Sequence, residues 1–270
     1  MTVKCPAKLN LFLSVGPKDS AGYHPVNTVL QAVSLCDELT VTPSETDQFI
    51  CDSKEVPQDN TVTRAWRMAR EYIELPRMRI ELKKQVPSQS GLGGGSSDAA
   101  GFLRALLVLL RGKLSLNEAM DIAAAVGTDV PFFLVGGLAK ATNYGEVVTP
   151  MPDSQRWPIV VVMPAATVPT ASAYAALDSQ PRELRPFPSD TDFGPNDFES
   201  VAPPASLEAI KTLWELGSWH AGLTGSGAAT FGVFQEDYAA EGAVSAMSHH
   251  PTSKSYLCHT LTRTESLWMS

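Results

Sequence analysis

At 270 residues, with 44% hydrophobic and 19% charged side chains, the chain has the composition of a folded globular protein and exceeds the usual size of one layered domain, so two domains or lobes are expected. Its formal charge of −8 argues against a nucleic-acid partner, because binding the phosphate backbone needs a basic face to displace counterions. The longest apolar run, Phe102 to Leu110, is interrupted by Arg104 and falls far short of the roughly 20 residues that cross a bilayer, which argues against a membrane span.

The first residues, Met1 to Pro6, carry no charged segment followed by an apolar stretch, so a cytosolic protein is expected. Val3 to Cys5 and Leu9 to Val15 read as strands stopped by Gly16-Pro17, and Val29 to Leu35 and Glu38 to Val41 as two more. A polar connection leads to Asp59-Asn60, a cap for an amphipathic helix with Val62, Trp66, Ala69 and Ile73 on one face. Met78 to Lys84 alternates with period two and feeds a glycine-rich loop, from which a helix beginning at Ser96 or Ser97 runs through Leu110, too apolar for a surface helix. Ser115, with Glu118 three places on, opens another helix that ends near Gly127. The composition turns to proline and polar residues around Asp153 to Pro158, where the boundary between a first domain, 1–152, and a second, 153–270, is expected. Ile159 to Met163 is a strand, 178–204 a long proline-rich loop that could cover a site, Ser206 to Leu216 a helix and Thr230 to Phe234 a strand.

Four scattered cysteines, Cys5, Cys36, Cys51 and Cys258, form no Cys-x-x-Cys pair, and the one histidine pair, His249-His250, has no further ligand at metal spacing. Neither a disulfide framework nor a structural metal is expected.

Chemistry concentrates in Val86 to Ala100, Val-Pro-Ser-Gln-Ser-Gly-Leu-Gly-Gly-Gly-Ser-Ser-Asp-Ala-Ala. Glycines here allow positive φ and let backbone N–H groups converge on an anion, and the helix that follows adds free amides and the positive end of its dipole. The segment is not a Walker loop, since Ser96-Ser97-Asp98 stands where Gly-Lys-Ser/Thr would be. A dinucleotide fingerprint is also excluded by the apolar helix that follows and by the order of the surrounding elements.

This stretch, Pro87 through Ala100, resembles the central motif of the GHMP kinases. Supporting segments lie in the family's order: Pro6-Ala7-Lys8-Leu9-Asn10-Leu11 with Gly22-Tyr23-His24, Gly127 to Phe133, Asn196-Asp197-Phe198-Glu199, and Thr224-Gly225-Ser226-Gly227. They favour the branch that phosphorylates the 2-hydroxyl of 4-diphosphocytidyl-2-C-methyl-D-erythritol in non-mevalonate isoprenoid synthesis. The resemblance implies an α+β fold, with an N-terminal domain like domain 2 of ribosomal protein S5 and a C-terminal ferredoxin-like domain. It implies ATP with Mg2+, the magnesium ligands left open, a small-molecule substrate, and a monomer or homodimer. Asp129 would accept the proton of the hydroxyl and Lys8 would stabilise the moving charge. Pro87, Gly91, Leu92, Gly93, Gly94, Gly95, Ser96 and Ser97 would hold the nucleotide's phosphates, with Lys84 and Asn60 near the adenine. Asn10, Gly225, Ser226 and Gly227 would meet the substrate. Tyr23, His24 and, from the other side, Tyr174 would take its cytosine.

Two departures from the family pattern stand out. Asn143-Tyr144-Gly145-Glu146 has Asn where a Gly-x-Gly-Glu turn is usual, and Asn is the residue after glycine that best tolerates positive φ. Asp98 places a carboxylate near the phosphates, tolerable if it points away, caps the helix or binds magnesium. Two other readings stay open: a GHMP kinase for homoserine or a sugar alcohol, and a non-catalytic nucleotide sensor of the same fold.

Overall fold

The computed structural model describes residues 1–166, 168–189, 192–248 and 253–270. Two long strands form its spine: β1 (Thr2–Val15) and β2 (Val26–Pro43) pair antiparallel along nearly their whole length. The sequence suggested two shorter strands in place of each. They are continuous because the ladder runs on across register shifts at Pro6/Ala7 and Asn10/Phe12.

The first shift leaves Ser34 and Leu35 of β2 without β1 partners and the second leaves Leu11 of β1 unpaired, and such irregularities break the simple alternation of side chains between the two faces. Val3 and Cys5 therefore pack toward the helices, while Ala7, Leu9 and Leu11 join the core on the other side of the sheet. Lys8 and Asn10 are swung onto the face that borders a cleft.

β1 takes one edge of β2, and the other edge is shared by β4 (Met78–Lys83) and β5 (Leu138–Thr142). β3 (Gln48–Cys51) adds to β4 in parallel, and β6 (Val147–Pro150) closes a hairpin with β5. In the β5–β6 turn Asn143 adopts φ +61°, so the glycine that the family pattern places there is not needed.

Helices α1 (Thr61–Tyr72), α2 (Gly94–Leu109), α3 (Leu116–Val126) and α4 (Val130–Val135) pack on one face of this sheet around Trp66, Phe102, Leu103, Leu106 and Phe132. Asn60 caps α1 through Val62 N and Thr63 N, and Ser115 and Glu118 form a reciprocal capping box on α3, as the sequence suggested.

A second, antiparallel sheet has the order β10 (Ser253–His259), β7 (Pro158–Pro164), β9 (Thr230–Val233), β8 (His220–Leu223). Ile159 and Val161 of β7 face the first sheet, whereas Val160 and Val162 face α6 (Pro204–Glu215) and α7 (Asp237–Ser248). Burial on both faces explains why β7 reads as an uninterrupted apolar run. Helix α5 (Thr170–Asp178) and a 3-10 turn (Asp197–Val201) flank the proline-rich stretch. That stretch is bonded along β1 through Gly194 N to Leu11 O at 2.8 Å and Arg185 N to Ser14 Oγ at 2.9 Å.

After β10 the chain returns to the first sheet. Leu261 N donates to Ala32 O, α8 (Arg263–Ser266) follows, and Thr2 and Ser270 exchange both backbone hydrogen bonds. His249-His250 lies outside the described residues.

Candidate active site

A cleft of about 570 Å³ opens where the β4–α2 loop, β1 and the turn after β8 meet. Its floor is the start of α2, which begins at Gly94, two or three residues earlier than the sequence suggested, because Gly93 serves as the N-cap with φ +73°. The first helical bond of the loop runs from Ser97 N to Gly93 O at 2.9 Å. The N–H groups of Gly94, Gly95 and Ser96 thus precede the ladder, and these three residues line the cleft.

Two positions demand glycine outright. A Cβ on Gly91, at φ +80°, would stand 2.5 Å from Thr224 O, and one on Gly93 would stand 2.9 Å from the Phe133 ring. The cradle, the turn after β8 and α4 are therefore in direct contact, and the helix dipole points into their common space.

Lys8 is 3% exposed, and its Nζ lies 4.0 Å from Asp129 Oδ2 and donates to Asn10 Oδ1. Burial pulls the ammonium's pKa below its ordinary value, with Asp129 opposing the shift. Asn10 Oδ1 also accepts from Gly225 N at 2.8 Å, and Asn10 Nδ2 donates to Thr28 Oγ1 at 2.8 Å. One amide thereby ties the cation to the turn of the second sheet. Asp129 stands before α4 without making a side-chain cap. Its carboxylate is 39% exposed and free to face a ligand in the cleft.

Lys84 lines the same cleft but is not a free cation. Its Nζ is bonded to Asp98 at 2.8 Å and to Asp37, which also accepts from Gln85 N and Val86 N. Asp98 therefore neither caps the helix nor points away: it pairs with Lys84, and its Oδ1 is buried without a partner among the described residues. Burial, then repulsion from Asp37, raises its carboxyl to about 8, against the pull of Lys84. Asn60 borders the cleft with its Oδ1 committed to the α1 cap and its Nδ2 donating to Pro57 O.

At the other end Tyr174 lines the cleft, stacked on His24 with centroids 4.9 Å apart and edge-on to Phe198. Burial and then Asp129 raise the Tyr174 phenol to about 12. With the two rings face to face, Tyr174 lies against His24 rather than across a gap from it, and neither His24 nor Tyr23 lines the cleft. His24 Nδ1 is 2.9 Å from Gly16 O and its Nε2 is 3.4 Å from Asp178, while Tyr23 is 63% exposed.

Among the other expected residues, Pro87, Gly225 and Ser226 border the cleft. Leu92 and Ser97 are fully buried beneath it; Leu92 O receives Lys8 N at 2.9 Å, and the Ser97 hydroxyl has no partner among the described residues. Gly227 closes the turn by donating to Thr224 O. Sequence reasoning missed Thr28, Asp37, Thr128 and Tyr144, and it gave Asn196 no role. Asn196 Nδ2 pins the turn through Leu223 O and Gly225 O. The motif Asn196 to Glu199 was its available signal, whereas Asp37, inside a strand, had none.

Comparison with known proteins fits this geometry. Residues 60–137 match the family described as GHMP kinases N terminal domain, and residues 197–252 that described as GHMP kinases C terminal. The 4-diphosphocytidyl-2-C-methyl-D-erythritol kinase of Chloroherpeton thalassium is 36% identical over 93% of this chain and 96% of its own, and that of Geobacter metallireducens is 34% identical over 92% and 94%. A crystal structure of 4-(cytidine 5'-diphospho)-2C-methyl-D-erythritol kinase superposes with TM-score 0.78 at 30% identity, covering 96% of this chain and 99% of the other. Homoserine kinase from Cytophaga hutchinsonii, at 18% identity, TM-score 0.73 and coverage of 97% and 96%, shares the fold. The chain belongs to the 4-diphosphocytidyl-2-C-methyl-D-erythritol kinase family of the GHMP kinases, and it is an ATP-dependent small-molecule kinase of α+β fold.

Proposed function

We propose that the protein transfers the terminal phosphate of ATP to the 2-hydroxyl of 4-diphosphocytidyl-2-C-methyl-D-erythritol, in the cytosol and in the non-mevalonate route to isoprenoids. The observation that carries the reading is the meeting of Lys8, Asp129 and the free amides of Gly94 to Ser96 in one cleft. In it, Asp129 accepts the hydroxyl proton and Lys8, held by Asn10, meets the charge that gathers on the transferred group. The α2 amides hold the polyphosphate, and the oxygens follow an in-line path without a phosphoenzyme.

Magnesium fits a site of this kind. Mg2+ keeps several waters and takes one or two carboxylates besides substrate phosphates, and Asp129 offers an exposed carboxylate beside the cradle. Held there, the ion would neutralise charge on the phosphate groups. Glu55 to Pro57 and Asn60, at the α1 end of the cleft, border the space for adenine, and Tyr174 the space for cytosine.

Asp129→Asn is the test. The variant is expected to bind ATP and the cytidine substrate as the parent does and to lose turnover by about 10²- to 10⁴-fold, read by ADP release and by titration calorimetry. Near-normal turnover would remove Asp129 as the base.

A further inference from the structure

Tyr144 has no part in the reaction described above, yet its side chain sits between two things that matter to it. It lines the cleft beside Thr128, Asp129 and Gly145. Its ring also lies 5.4 Å, centroid to centroid, from Tyr23, tilted by 47°, and its hydroxyl donates to Asp19 Oδ2 at 2.6 Å.

Asp19 organises the loop that carries Tyr23. Its other oxygen accepts from Ala21 N at 2.9 Å and from Tyr23 N at 3.1 Å, and its backbone N–H donates to Tyr23 O at 2.8 Å. The Tyr144 hydroxyl thus grips the residue that shapes the loop, and the Tyr144 ring meets the aromatic at its tip.

The hairpin presenting Tyr144 is itself braced. Asn143 takes φ +61°, Asn143 O accepts from Val26 N at 2.7 Å, and Glu146 accepts from Asn143 Nδ2 and Tyr144 N. Without this contact Tyr23, 63% exposed, would end an exposed loop with little to fix its ring.

Resting on the proposed reading, we propose that Tyr144 is a specificity-determining residue for the acceptor: its ring continues the Tyr23 surface into the cleft as a wall for a pyrimidine base, and its hydroxyl, through Asp19, holds the Tyr23 loop in place. The ligand class is an alcohol carrying a cytidine diphosphate. A base-free alcohol gains nothing from the wall, because only the base has a π face to stack.

The test compares the parent, Tyr144→Ala, Tyr144→Phe and Asp19→Ala in steady-state kinetics with the cytidine substrate, with a base-free alcohol and with ATP varied separately; thermal melting confirms folding. Tyr144→Ala is expected to raise KM for the cytidine substrate about 5- to 10-fold, in line with the loss of one stacking surface. The loss falls on that KM and not on KM for ATP. Tyr144→Phe is expected to raise it about 2- to 3-fold and Asp19→Ala by more, since Asp19 also holds Ala21 N and Tyr23 N; adding Tyr144→Phe to Asp19→Ala changes little, because the hydroxyl's partner is already gone.

Equal effects of Tyr144→Ala on both substrates, or none on the acceptor, would overturn the proposal. So would an equal loss with the base-free alcohol. Failure of the proposed function shows instead in the parent: if unaltered protein phosphorylates a base-free alcohol and refuses the cytidine one, that reading falls and takes base recognition by Tyr144 with it.

Discussion

Lys8 is an ammonium enclosed at 3% exposure beside a half-open carboxylate, and burial lowers its pKa despite Asp129. A lysine that gives up its proton more easily loses its charge at a lower pH. The alkaline limb of the pH–rate profile is therefore expected below the ordinary lysine value of 10.5. Lys8→Met keeps the stem and removes the charge; kcat is expected to fall by about 10²- to 10³-fold with a smaller change in KM for ATP, measured by initial rates.

Asp98 gives a second prediction of known sign. Its carboxyl is raised from 3.8 to about 8 in the fold, by burial first and Asp37 second. Between those values the unfolded chain is the more readily ionised, so this group's contribution is full below pH 3.8 and is lost as pH rises toward 8. Asp98→Asn should flatten the pH dependence of melting over that window and raise the melting temperature relative to the parent at pH 8. A variant curve parallel to the parent's would show that Asp98 does not titrate there. Of these residues, Lys8 and Asp129 were legible because each stands in a motif. The acid pair around Lys84 was not, because Asp37 and Asp98 are far apart in sequence and are brought together only by the pairing of β2 with β4 and the docking of α2.

At the scale of elements, the start of α2 decides what the cleft can bind. Ser96 and Ser97 look like a helix start, and Ser is a favoured cap; Gly93 took that place because its φ of +73° also allows close contact with Phe133. The change brings Gly94 and Gly95 into the helix and aims their amides at the cleft. Gly91→Ala would set a Cβ 2.5 Å from Thr224 O at a φ of +80°, forcing the loop and the turn after β8 apart. The expected result is a KM for ATP raised by at least about 10-fold, equivalent to ~1.4 kcal/mol, with secondary structure by circular dichroism unchanged. Helices with a cap and one apolar face, α1 and α3, were legible. Helix α5 and strands β8 and β10 were not: β8 spans four residues, β10 is mostly half-exposed, and α5 opens at Pro169 without a side-chain cap. Nor could the sequence reveal that β1 and β2 are continuous, since a register shift leaves no local signature and yet sets which way Lys8 faces.

On the scale of the molecule, two sheets share a core built from Leu9, Leu11, Val29, Ile159, Val161 and Phe231, and helices cover both outer faces. The alternating and continuous apolar runs made a mixture of strands and helices legible, and the resemblance of the motifs to a known family pointed to the α+β fold. The path of the chain's last residues was not, because they carry little periodicity and find their partners across more than a hundred positions. Arg263 donates to Val135 O, Leu138 O and Met151 O, and Ser266 Oγ accepts from Gly137 N at 2.9 Å. Arg104 of α2, buried without a carboxylate partner in the described residues, donates to Lys4 O and Ser266 O. Deleting Thr262 to Ser270 would leave that guanidinium with one of its two carbonyls and uncap the end of α4, where Gly136 packs against Ser266 and Leu267. Hydrogen bonds to a charged group contribute about 1.5 to 3 kcal/mol, so a loss on the order of 3 to 5 kcal/mol is expected. At about 2 to 4 °C per kcal/mol for a chain of this size, melting should fall by roughly 6 to 20 °C. Arg104→Met in the shortened chain should recover part of the loss, since no buried charge then lacks an acceptor; a shortened chain that melts with the parent would show that the tail carries none of this stability.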